Sequence, residues 1–99
     1  MKVEEAIELI NSKKLDALWR VEDEINDIKL VEKGSNLDKY RWFSYATNYY
    51  KCEDGFIGVE GPYQLFSESQ MWSDTAEDYG YCNAFEAEEY TTVSYGPKK

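Results

Sequence analysis

The chain has 99 residues, 20 Asp and Glu against 11 Lys and Arg, a net charge of −9 and no histidine. Three Trp, nine Tyr and four Phe accompany that charge, enough for a folded core under an acidic exterior and more than a disordered acidic tail carries. The missing histidine removes the commonest general base and metal ligand, and the negative charge excludes direct binding of nucleic acid, whose phosphates it repels.

Val3, Ala6, Ile7, Leu9 and Ile10 alternate with Glu4, Glu5 and Glu8 at helical spacing, which predicts an amphipathic helix over residues 1–14. Acids in its first turn and Lys13 and Lys14 at its end suit the helix dipole. Residues 15–33 read as a first pair of strands: Ala17-Leu18-Trp19-Arg20-Val21 has the apolar density of one, and Ile28-Lys29-Leu30-Val31 follows the turn at Asn26-Asp27. Gly34-Ser35-Asn36 reads as a break.

Residues 40–66 carry the strongest strand signal, with Trp42, Phe43, Tyr45, Thr47, Tyr49 and Tyr50 on the first arm. Asp54-Gly55 is a hairpin signal, and Gly61-Pro62 reads as a second turn, giving a three-stranded antiparallel meander. Residues 67–82 read as a long polar loop with at most one helical turn at 75–78. Residues 83–95 alternate Phe85, Ala87, Thr91, Val93 and Tyr95 with Glu86, Glu88, Tyr90 and Thr92, the pattern of one long half-solvated strand before a frayed tail at 96–99. The fold class expected is α+β, one domain in which the N-terminal helix packs on a twisted antiparallel sheet of four to six strands.

Cys52 and Cys82 belong to no CxxC pair and are expected as free thiols packed like small apolar side chains. No apolar run approaches a membrane span, and Met1-Lys2-Val3-Glu4-Glu5 lacks the core of a secretory signal. A cytoplasmic protein is the expectation. Trp19, Trp42, Phe43, Phe56, Phe66 and Phe85 are expected in the core. Consecutive Tyr49 and Tyr50 point to opposite faces of a strand, so at least one is expected to be half-exposed, either in a stiffening ladder or on a binding surface.

Acids are unevenly spread. Residues 1–40 hold ten acids and seven bases, whereas residues 41–97 hold ten acids against Arg41 and Lys51 alone. The first candidate site is on the last strand, where alternation sets Glu86 and Glu88 about 7 Å apart on one face, beside Glu89 and Tyr90. A carboxylate row of that spacing could occupy a basic, phosphate-binding groove of a partner; the plain alternative is charge that keeps a strand soluble and unpaired. The second candidate is aromatic: Trp72, Tyr79 and Tyr81, with Asp74, could form a platform for a small ligand or carbohydrate. Asp74, Glu77 and Asp78 lack the alternating pattern of a calcium loop, and Gly55, Gly58 and Gly61 sit in a hairpin, not in a phosphate-binding turn.

These residues lead to a non-enzymatic protein that meets a basic protein surface, needing no cofactor or metal and binding neither nucleic acid nor membrane directly. Its sharpest form is a nucleic-acid-mimicking inhibitor of a host or defence protein, of the kind mobile elements carry. The rival is the small-ligand module on the loop aromatics.

Overall fold

The helical periodicity of the first residues becomes α1 (Val3–Lys13), which buries Val3, Ala6 and Ile10 and presents Glu4, Glu5 and Glu8 to solvent. A computed structural model describes residues 1–67, 69–90 and 94–97, and of 89, 90 and 94 the backbone alone. The elements that follow are α2 (Trp19–Glu24), β1 (Lys29–Lys39), β2 (Phe43–Cys52), β3 (Gly55–Leu65), α3 (Trp72–Tyr79), β4 (Asn83–Tyr90) and β5 (Ser94–Pro97). The strands form one curled antiparallel sheet in the order β1-β2-β3-β4-β5, and α1 lies across β4 and β3. The expected α+β architecture holds.

Its core joins Ile10 of α1 and Leu18 and Val21 of the α2 region to Tyr50, Ile57, Val59 and Ala84 of the sheet. Tyr49 and Tyr50 are both 1% exposed, against the expectation that one would be half in water. Each does face its own side: Tyr50 lies under the helices, and Tyr49 packs on Phe85 and Tyr95 on the opposite face. Curling covers that second face as well. Trp19, Trp42 and Phe66 are 42%, 48% and 45% exposed, so they are not core as expected. They sit at element ends, beyond what α1 covers, whereas Phe43 is buried and Phe56 and Phe85 are half-buried. Cys52 and Cys82 are free and buried.

Several boundaries differ from the sequence expectation. The first of the two strands read over 15–33 is instead α2. Leu18, Val21 and Ile25 are the buried positions, at three- and four-residue steps, with Glu22, Asp23 and Glu24 exposed, and Asp16 pairs with Arg20 across one turn. A short run of apolar residues could not distinguish the two periods. β1 runs through the supposed break at Gly34-Ser35-Asn36 as a bulged strand, with register shifts between Leu30 and Asp38 and left-handed Gly34 and Asn36.

β3 also runs on through Gly61-Pro62. Its pairing with β4 ends at Glu60–Asn83, so beyond residue 60 that edge has no partner strand among the described residues and the missing Pro62 N–H breaks no ladder there. The Pro62 carbonyl instead accepts the Leu18 N–H at 2.9 Å. Within the supposed loop at 67–82 lies α3, two turns that bury Thr75 and Ala76 and end where Gly80 adopts φ 116°. The single last strand is the β4–β5 hairpin, and residues 96 and 97 of the supposed tail belong to β5. Tyr90 pairs with Ser94, which keeps odd-numbered residues of β4 and β5 on the same face. Thr91, Thr92 and Val93, expected in the last strand, and Lys98 and Lys99, expected in the tail, fall outside the described residues.

Candidate functional site

Two hydrogen bonds set α1 against β4: the Ala84 N–H donates to Asn11 Oδ1 at 2.7 Å, and Asn11 Nδ2 donates to the Ala84 carbonyl at 3.2 Å. Toward the start of the helix from that clamp come Glu8 and Glu4, on one face by their four-residue spacing. Along β4 from Ala84 come Glu86 and Glu88, on one face by their two-residue spacing. Helix and strand therefore hold two pairs of carboxylates beside one another. The β2–β3 hairpin closes the end with Asp54, whose Oδ1 accepts the Val3 N–H at 2.8 Å and so ties the hairpin to the free N-terminal amides of α1.

The result is an open groove of about 950 Å³. Glu4, Glu8, Asp54, Glu86 and Glu88 line it over an apolar floor of Val3 and Ile7. Among the described residues that line it, none is Lys or Arg. The two arginines of the chain lie elsewhere, their guanidinium carbons 4.5 Å from the Trp19 ring and 4.7 Å from the Trp42 ring. Such a groove offers charge to cationic heads and apolar surface to the methylene stems that carry them.

Of the residues singled out in the sequence, Glu86 and Glu88 come together in this groove. Glu89 and Tyr90 are paired through their backbone with Tyr95 and Ser94, and their side chains lie outside what the structure describes. Glu4, Glu8 and Asp54 were missed as site residues. The spacing of Glu4 and Glu8 was visible, but nothing in the sequence showed that α1 would lie along β4.

The aromatic candidates are not brought to one cavity. Trp72 meets Trp19 edge-on at 6.4 Å, while Tyr79 packs 4.6 Å from Phe43 and 5.6 Å from Tyr40. Asp74 and Tyr81 are exposed, and none of the four lines the acidic groove. Asp74, Glu77 and Asp78 face solvent on α3, and among the described residues no cluster of three potential ligands could hold a metal ion. Among the described residues no helix is long and apolar enough to cross a membrane. No family model, curated protein or solved structure matches the chain.

Proposed function

We propose that this chain is a non-enzymatic binding protein whose acidic groove seats a basic segment of a partner protein. The observation that carries the reading is the convergence of five carboxylates, from a helix, a hairpin and a strand, on one groove with an apolar floor. Residues far apart in the chain supply it, and their acids add to a net charge of −9. Complementary charge of this kind speeds association and selects the partner more than it sets affinity. The sharper form is mimicry of nucleic acid: Glu86 and Glu88 offer charges about 7 Å apart to a groove built for phosphates. An inhibitor of a host nucleic-acid-binding protein, acting in the cytoplasm where buried free thiols stay reduced, fits these features.

The test is capture from lysate of the source cell, with the intact chain as bait, washed first at low and then at high salt. A nucleic-acid-binding protein that is retained at low salt and released by high salt is the expected result. The same capture by a variant with Glu4, Glu8, Glu86 and Glu88 all changed to Gln should fail. Equal retention by that variant would remove the groove from the account.

A further inference from the structure

A second cavity, of about 290 Å³, lies between α2 and strands β1 to β3 and shares no lining residue with the acidic groove. At ~30 Å³ per water it holds the volume of about ten waters, the lower end of the range of ligand pockets. Three local features build it. The Leu18 N–H donates to the Pro62 carbonyl at 2.9 Å, which fixes the start of α2 on β3 and sets Leu18 and Trp19 as one wall. Gly34, at φ 71°, turns the bulged β1 so that its N–H donates to Asn48 Oδ1 at 2.9 Å instead of to a neighbouring strand. The phenol of Tyr63 rests on that glycine; a Cβ there would stand 3.0 Å from Tyr63 Oη.

Asn48 is buried at this cavity with its amide half used. Its Nδ2 reaches Tyr50 Oη at 3.5 Å, the outer limit of a hydrogen bond, and meets no other acceptor among the described residues. A side-chain amide nitrogen carries two hydrogens, so the cavity presents an under-used donor, the kind of buried group that calls for a partner. Gln64 adds a second amide, Lys33 a donor and Glu22 an acceptor, and no ion pair joins Lys33 to Glu22 among the described residues. The two charges cancel, so the lining selects neither an anion nor a cation. Arg20 over one face of Trp19 and Trp72 at its edge hold that aromatic wall in place.

We infer that this cavity binds a neutral polyhydroxylated ring of monosaccharide size, its C–H surface against Trp19 and Tyr63 and its hydroxyls on Asn48 and Gln64. Hydroxyls both donate and accept, as this mixed set of amides, phenol, ammonium and carboxylate requires. A ligand of that size has an expected Kd of about 1 mM.

The experiment is a titration of the isotope-labelled full chain with glucose, N-acetylglucosamine and myo-inositol. It follows the Trp19 indole N–H and the side-chain amide signals of Asn48 and Gln64 by NMR. At least one polyol should shift these signals saturably. Gln64 is exposed, so Gln64→Ala should keep the parent unfolding midpoint and weaken binding about tenfold. The Glu4→Gln/Glu8→Gln variant, altered only in the acidic groove, should bind the sugar like the parent, which separates this site from the partner-binding one. Absence of a saturable shift with all three probes up to about 100 mM, a hundredfold over the expected constant, overturns the inference. So does undiminished binding by Gln64→Ala, or saturation by glycine and by none of the polyols.

Discussion

Gly58 stands directly across from Tyr49 on one side and Phe85 on the other, so its missing side chain is the space those rings fill. A Cβ there would lie 2.4 Å from the end of the Phe85 ring and 2.9 Å from Tyr49 Cε1. Phe85 is half-buried and can swing outward, but Tyr49 is enclosed and cannot. Gly58→Ala is therefore expected to cost about 1–3 kcal/mol. The check is urea unfolding, where the midpoint should fall at unchanged slope. The buried titratable groups give a second expectation at this scale. Burial, with Asp16 adding to it, pushes the Cys82 thiol up to about 12 from 9.0, and burial with Glu60 raises the Tyr45 phenol from 10.0 to about 12. Burial raises Tyr50 further, with the Glu22 charge acting in the same direction and the Asn48 hydrogen bond opposing it. Above about pH 9 the unfolded chain loses these protons while the native chain keeps them, so the native state is the one that binds more protons. Stability should thus be intact at neutral pH and decline steadily from about pH 9 to about pH 12. Unfolding midpoints that stay level across that range would contradict the assigned burial.

Between elements, the contact most open to test is the Asn11 clamp, the side chain that bonds both backbone groups of Ala84. Asn11 is exposed, so water replaces part of what Asn11→Ala removes, and a loss of about 1 kcal/mol is expected. Exchange of the Ala84 amide hydrogen should also accelerate in that variant beyond what the lost stability explains. Unchanged exchange would mean that apolar packing alone seats α1. The edges of the sheet are guarded. β1, on the outside, carries three register shifts and the charges Lys29, Glu32, Lys33, Asp38 and Lys39, and β5 on the other side spans only four residues. Interrupted, charged or short edges resist pairing with another chain. The bulges of β1 do a second task, since the Gly34 turn that disrupts the ladder also shapes the cavity beside Asn48.

Across the whole molecule the decisive quantity is the unbalanced charge. A net of −9 on 99 residues makes the compact state repel itself. Raising salt from about 0.01 M to about 1 M shortens the screening length from about 30 Å to about 3 Å. The same change should therefore raise the thermal midpoint of the free protein and weaken the binding of a basic partner proposed for the groove. Opposite responses of stability and binding are the signature of carboxylates kept for recognition. A midpoint that falls with salt would instead show that the acids are engaged in internal ion pairs. The described ion pairs are few: the N-terminal amine with Glu53, and Arg20 with Asp16.

The N-terminal helix, the hairpin at Asp54-Gly55 and the shared face of Glu86 and Glu88 were legible in the sequence. Each is set by periodicity or turn chemistry within a few residues. The overall acidity and the lack of histidine belong to composition and needed no fold. Only the tertiary structure made a helix of Trp19–Glu24, because a short apolar run satisfies either period until its neighbours choose. It alone buried Tyr49, since a strand pattern records two faces without recording that the sheet curls to cover both. It alone assembled the groove, because the clamp that lays Glu4 and Glu8 beside Glu86 and Glu88 joins Asn11 to Ala84, 73 positions apart. Short-range pattern determines elements and their faces; which faces meet depends on packing between residues that the chain order keeps distant.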